Sequence, residues 1–480
     1  MNFKPTQRSA FGRHNTLTLA MTACFSLAII LAVGTASHTQ AAKFHPLGIS
    51  LGAQTVRNRV KVSEDGSVVV GSSNEARLIR WTEGTGPLLL GPAVGPFDAQ
   101  MTSMSGDGST VVATVRSSLG HLEAIMITFA DDGSPRIKRL PVDNGIVSSE
   151  VRLISQDGST LYGIVRTDNN EERRIRWTVA GVDEIHFDEI HFDVNAATSK
   201  DGDVLVGWDG LVVGTAARWT KKGDTESIES LPFLPTMPFI QARGVSSNGR
   251  WTVGHATDGS EAKNQRLAVR WDNLLAPEPL PPTDPSWGTV AYDVSADGSR
   301  IGGRIFTTSD GGIMAGLWTE ESGKMESLQL LLTRDYGLSD ALDGWQLTGV
   351  HDITDDGRYL VGAAIHTDTG RHDAFLVDMS PLSDLTKNGF VDFEDLTILL
   401  ANWNKDVTAA DGNLVEPLTT VVNFEDLTVL LADWTGPGAA GSPEGALGAD
   451  AVPEPSTLLL SLVAALVGLP AVRRRRRVLD

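Results

Sequence analysis

The pattern Ser-x-Asp-Gly, followed by alternating apolar residues, returns seven times and constrains this chain more than any other feature. Its turns fall at Asp65-Gly66, Asp107-Gly108, Asp157-Gly158, Asp201-Gly202, Asn248-Gly249, Asp297-Gly298 and Asp356-Gly357. A Ser stands two residues before each except the last, which has Thr354. Successive copies are 42, 50, 44, 47, 49 and 59 residues apart. Asp-Gly suits a tight turn, because Gly tolerates positive φ and Asp can accept hydrogen bonds from its own backbone. Val62, the first turn and Val68–Val70 therefore read as a hairpin, and Arg77–Thr82 as a third strand carrying a large aromatic. That aromatic recurs as Trp81, Phe129, Trp177, Trp219, Trp271, Trp318 and Phe375, with Arg80, Arg176, Arg218 and Arg270 preceding it in four copies. One such unit cannot bury both of its faces alone, whereas a stack of them can.

A period in the forties with three or four short strands per unit predicts a mainly β chain, a seven-bladed β-propeller over residues 44–379. A solenoid needs a shorter rung, and a sandwich would not repeat seven times. The units resemble HAF-type extracellular repeats. The last unit, ending at Met379, is one strand short, and Phe44–Ile49 is an unassigned apolar segment of suitable length. Pairing the two would remove two open sheet edges. One aromatic per unit at a fixed strand position reads as packing between blades rather than as a carbohydrate platform. Trp208, Trp251, Trp287 and Trp345 fall outside that register and are the better candidates for an exposed binding face. Sialidase-type Asp-boxes place a residue between Asp and Gly, so these Asp-Gly steps read as turns. The tandem Glu184–Asp193, EIHFDEIHFD, offers His186, His191, Asp188 and Asp193, but lacks the His-Glu-x-x-His spacing of a helical zinc site.

After Pro381 the period becomes helical. FEDLTILLANW at Phe393–Trp403 returns as FEDLTVLLADW at Phe424–Trp434, with Leu and Trp at amphipathic spacing. The loop before the first copy places oxygens at Asp384, Thr386, Asn388, Asp392 and Asp395, with the Phe390 carbonyl and a Gly389 turn. Six to eight oxygens at such spacing suit a hard cation. This resembles a type I dockerin over residues 384–434, which implies calcium at those six residues. Counting back from Asn423 and Asp426 puts Val415, Pro417 and Thr419 at the ligand positions of the second loop. Only an insertion would let Asp411 and Asn413 serve. The helix-start pairs, Phe393-Glu394 and Phe424-Glu425, depart from the small or hydroxyl-bearing pair by which dockerins recognise cohesin.

Both ends read as targeting segments. Lys4, Arg8 and Arg13 precede an apolar run, Leu17–Val33, and small residues to Ala41, the pattern of a secretory signal peptide over 1–41. Cleavage after Ala41 or after Ala36 fits. At the other end, Pro453-Glu454-Pro455 precedes sixteen mostly apolar residues, Thr457–Val472, and then Arg473–Arg477. The apolar run suits a short membrane-spanning helix, held cytoplasmic at its arginine end. These three parts resemble the PEP-CTERM sorting signal over 453–480. The resemblance implies recognition by an exosortase-type transpeptidase and delivery to the cell surface or matrix; a plain anchor is the other reading. Residues 435–452, rich in Gly, Pro and Ala, read as a flexible linker.

The chain has 40 basic and 60 acidic residues, and without 1–41 and 453–480 it keeps 32 and 58. Such a field repels nucleic acid and anionic membranes. The single cysteine, Cys24, lies in the leader, which leaves no disulfide, thiolate metal site or cysteine nucleophile. No Gly-x-Ser-x-Gly or His-Glu-x-x-His is present. Together these point to a non-enzymatic, exported binding or structural protein that contacts an exopolysaccharide or a surface protein. A polysaccharide-active enzyme working through paired carboxylates is the alternative.

Overall fold

The computed structural model describes residues 42–434, except 52–59, 74–76, 91–96, 118–119, 131–132, 181–184, 191, 193–195, 209–215, 261, 309–311, 381–382, 387–390, 406, 408–411, 413, 415–420 and 433. All seven Ser-x-Asp-Gly turns are built alike. The buried Ser or Thr hydroxyl donates to the Asp or Asn oxygen two residues on, at 2.6–2.8 Å. The same hydroxyl accepts the N–H five residues on, at 2.9–3.0 Å. The Asp oxygen in turn accepts the N–H two residues beyond it, and the Gly closes the turn at φ between +69° and +79°.

Each turn joins the first and second strands of a four-stranded antiparallel sheet, and the described residues form seven such sheets. Six are built from consecutive strands. In the seventh the order is broken: Trp345–Ile353, Tyr359–His366 and His372–Asp378 are completed by Lys43–Leu51, which pairs Lys43 with Asp378 and Phe44 with Val377. The expected exchange between residues 44–49 and the last unit is therefore present. Phe44 is buried there, its ring 6.0 Å from both Phe375 and Trp345. A single cavity is lined by residues from the first strand of every sheet, so the seven sheets surround one axis as blades of a propeller.

Neighbouring blades meet through the repeat itself. In most blades the residue five places after the Ser or Thr lies against the turn of the next blade: Thr160 beneath Gly202, Val204 beneath Gly249, Trp251 beneath Gly298, and Tyr359 of blade seven beneath Gly66 of blade one. A Cβ on Gly202 would stand 2.8 Å from Thr160, so this glycine is required by its neighbour as well as by its φ. The strand-three aromatics fill the spaces between blades. Trp177, Trp219, Trp271 and Phe375 are fully buried, and Trp318 and Trp81 are buried too, as the packing reading expects. Trp177 and Trp271 donate their indole N–H to Pro141 and Pro232, both 2.8 Å away and just past the outer strand of the preceding blade. The Arg before the aromatic works in the other direction. Arg80 lies 4.6 Å over Phe129 and Arg270 lies 4.7 Å over Trp318, each in the following blade.

Of the tryptophans outside the register, Trp251, Trp287 and Trp345 are half-buried against the inter-blade core. They are therefore packing groups rather than an exposed face, and the Trp208 side chain lies outside the described residues. The 59-residue spacing before the last turn holds a helix, Leu328–Asp335, capped by Ser327 and packed through Leu328, Leu331 and Leu332 against blades six and seven. The propeller unit spans Ala41–Ser380.

The following unit contains two helices, Phe393–Ala401 and Phe424–Ala432. They pack reciprocally: Phe393 meets Trp434 and Trp403 meets Phe424, each pair edge-on at 5.0 Å. Val391, Leu396, Leu399, Leu414, Val422, Leu427 and Leu430 form the core of this unit. Among the described residues no helix is long and apolar enough to cross a membrane. The expected leader 1–41, the linker, Pro453, Glu454, Pro455 and the sorting helix lie outside the described residues.

Candidate functional site

The axial cavity of the propeller, about 100 Å³, concentrates the unusual charges of the molecule. At the position two before each conserved Ser, blades one, six and seven carry Lys61, Asp293 and Asp352. Ring closure, which brings blade seven beside blade one, makes them neighbours. Lys61 Nζ contacts Asp352 and lies 3.9 Å from Asp293. Asp352 also accepts the Val62 N–H of blade one at 2.9 Å, and Asp293 accepts the Ile353 N–H of blade seven at 3.3 Å. Both carboxylates thus serve as stitches between blades.

A second ring lies at the residue between Ser and Asp. Glu64 N donates to Gly106 O, Gly106 N to Gln156 O, Lys200 N to Ser247 O and Ala296 N to Asp355 O, all at 2.7–2.8 Å. Asp157 N and Asn248 Nδ2 supply the links from blade three to four and five to six. The circuit is closed by the Glu64 carboxylate, which accepts the Asp355 N–H at 2.7 Å and is also bonded by Gln156 across the axis. Burial, and then the nearby Asp355 charge, push Glu64 up to about 8. Burial also raises Asp355, and raises Asp293 well above the carboxylate range, with Lys61 opposing and Asp352 reinforcing the shift.

Raised, paired carboxylates are what an acid–base catalyst would need. Here the oxygens of Glu64, Asp293 and Asp352 hold backbone N–H groups of adjacent blades, so these carboxylates are engaged in the seam of the ring. The arrangement can hold a proton and bound water at the seam of the ring. Sequence reasoning missed this cluster, since Lys61 and Asp352 are close only after the ring has shut.

The calcium-like loop belongs to the other unit. Asp384, Asp392 and Asp395 are buried. Thr386 Oγ1 lies 3.4 Å from Asp384 Oδ1 and 3.0 Å from Asp395 Oδ1, so three of the expected oxygens converge. Asp395 accepts the Thr386 and Asp392 N–H groups, both at 2.8 Å, and forms a capping box with Asp392 at the start of its helix. Asn388 and Phe390 lie outside the described residues. Two buried carboxylates and a hydroxyl form a hard-oxygen set that fits calcium in part. Among the described residues no group of three or more His, Cys, Asp or Glu side chains is arranged to hold a metal, and His191, Asp193 and the Asp188 side chain of the tandem lie outside them.

The second loop repeats the scaffold with a longer chain. Asp426 accepts the Asn423 N–H at 2.7 Å and the Leu414 N–H at 2.6 Å, the two bonds that Asp395 makes to Asp392 and Thr386. Leu414 is twelve residues before its Asp, whereas Thr386 is nine before. The direct count-back through Val415, Pro417 and Thr419 is therefore replaced by a loop with an insertion, and an aliphatic side chain stands where Thr386 stands.

No family model and no curated protein matches this chain. Several solved structures are similar to it. The structure of U3-55K is 13% identical with a TM-score of 0.41, covering 70% of this chain and 98% of that one. The crystal structure of the RRP9 WD40 repeats is 12% identical at 0.42, covering 71% and 98%. The β-propeller domain of the Trilobed protease from Pyrococcus furiosus, described as having an open velcro topology, is 11% identical at 0.43, covering 66% and 93%. Identities and scores this low say nothing of function.

Proposed function

We propose that this chain is an exported, non-enzymatic surface or matrix protein whose propeller binds an exopolysaccharide or another surface protein. The observation that carries the reading is the use of the axial carboxylates. Glu64, Asp293 and Asp352 are committed to stitching blades together around the axial cavity. The outer loops are what remains for contact, and the strongly acidic surface suits cation-bridged contact with acidic polymers. Export rests on the leader and on the Pro453-Glu454-Pro455 tail, which make the chain a substrate for an exosortase; the dockerin-like unit would carry calcium at Asp384, Thr386 and Asp395.

The test uses mature protein recovered from the surface of the source organism. Its peptides should lack Arg473–Arg477, and finding them intact would refute the sorting reading. The same protein should retain surface glycan or protein, less so in chelator. Turnover of any polysaccharide at an enzyme-like rate would instead establish the carboxylate-pair alternative.

A further inference from the structure

The inner strands of blades five, six and seven carry a β-bulge at the same place, three residues before the Ser or Thr of the turn, where the extra residues are Arg243, Tyr292 and His351; blade seven has a second at Thr348. A bulge re-aims the side chain of its extra residue. Here the three re-aimed groups meet. Arg243 and Arg304 lie 5.5 and 5.7 Å from the centre of the same Tyr292 ring. Arg304 Nη2 donates to His351 Nε2 at 3.2 Å, and the His351 ring meets Tyr292 edge-on. A Cβ on Gly349 would stand 2.5 Å from Arg304 Nε, so that glycine leaves the room the guanidinium occupies. His255 and Arg266 of blade five complete the group: burial and the charges of Arg243 and Arg266 hold His255 well below its ordinary value.

This collection is anomalous in two ways. Like charges are gathered: Arg243, already lowered by burial, is lowered further by Arg266 and Arg304. No described carboxylate forms an ion pair with Arg243, Arg266 or Arg304. Side-chain nitrogens are also without partners in the interior. His255 is 3% exposed and Arg304 4% exposed, yet His255 Nδ1, Arg304 Nε and Arg243 Nε have no described partner. Buried donors are nearly always satisfied in folded proteins, and an unmet charged one is costly. Arg243, Arg266 and Tyr292 keep part of their surface open, so the group is not sealed.

We propose that Arg243, Arg266, Arg304 and His255, arranged around Tyr292 where blades five to seven meet, form a binding site for a single oxyanion, a carboxylate or a phosphate. Guanidinium groups match such oxyanions in shape as well as in charge. The site is local and positive in a chain whose net charge is −20, so it accepts one acidic group rather than a polyanion. It goes beyond the matrix-binding reading and stands without it.

The full chain would be titrated by calorimetry at fixed ionic strength with inorganic phosphate, glucuronic acid and glucose. One-to-one binding of phosphate, glucuronate or both, with glucose inert, is the expected result. Phosphate alone assigns the site to phosphoryl groups; glucuronate alone assigns it to carboxylates. Arg243→Gln with Arg304→Gln should weaken binding at least tenfold. Arg266→Gln, whose half-buried side chain lies 5.9 Å from the centre of the Phe306 ring of blade six, should weaken it several-fold with unchanged circular dichroism, which decides the matter if the double variant misfolds. Absence of binding by both acids, or affinity unchanged in Arg266→Gln and in a folded double variant, would overturn the proposal.

Discussion

At the scale of single residues, the repeat is held by a hydroxyl that the sequence displays but does not explain. Ser155 is buried, donating to Asp157 and accepting from Thr160. Ser155→Ala leaves the buried Thr160 N–H unmet and takes one bond from the exposed Asp157 carboxylate, and should cost about 1–3 kcal/mol. An unchanged urea midpoint would refute that account of the turn. Glu64 gives a pH signature. Its carboxyl keeps a proton in the fold up to about 8 but releases it near 4.5 when unfolded. Between those values the folded state binds more protons, so this group makes stability fall as pH rises from about 4.5 to 8. The turn carboxylates act in the opposite sense at lower pH. Burial pushes Asp65, Asp107, Asp157 and Asp297 up, but bonds from the Ser hydroxyl and backbone outweigh it and lower them. Their contribution is lost as pH falls below the ordinary carboxylate range. Below about pH 7 the buried neutral His255 opposes this trend, so melting temperature should decline from about pH 7 to pH 8, and Glu64→Gln should flatten the decline. A flat wild-type profile would contradict the buried-proton picture.

At the scale of elements, alternation and Asp-Gly steps made the hairpins readable, and a fixed aromatic position made the inter-blade core readable. Both signals are local. The helix Leu328–Asp335 also had a local signal, Ser327 followed by Leu at 328, 331 and 332, which the β period obscured. The bulges at Arg243, Tyr292 and His351 had none, because an extra residue shows only against the register of the neighbouring strand. Lys61 and Asp352 were illegible for a stronger reason: their contact exists only between the first blade and the last. The exchanged strand Lys43–Leu51 is the element most open to test. Phe44→Ala removes a ring packed on Phe375 and Trp345 and should cost about 3–5 kcal/mol. Limited proteolysis should then cut near residue 43 first; loss of stability without early cleavage there would mean the strand is not the weak seal.

At the scale of the whole molecule, the two compact units make separate predictions. In the helical unit, Asp384 and Asp395 are buried near one hydroxyl, and each helix is only 9 residues long, too short to be stable alone. Residues 384–434 expressed alone should gain helicity with calcium, and Asp384→Ala with Asp395→Ala should lose the gain. Equal circular dichroism in calcium and in chelator would refute the site.

In the propeller, the pairing of Lys43 with Asp378 has a bearing on time. The earliest strand to leave the ribosome is the last to find its partner, and every blade must be made before the circle can shut. Long-range contacts of this kind slow folding. Until then Phe44 and the open edge of the seventh sheet both face solvent, and each half-finished molecule offers its neighbours the one strand they lack. Crowded nascent chains are therefore at risk of completing one another, and the seam that seals a solitary ring is also the place where two chains would most readily exchange ends.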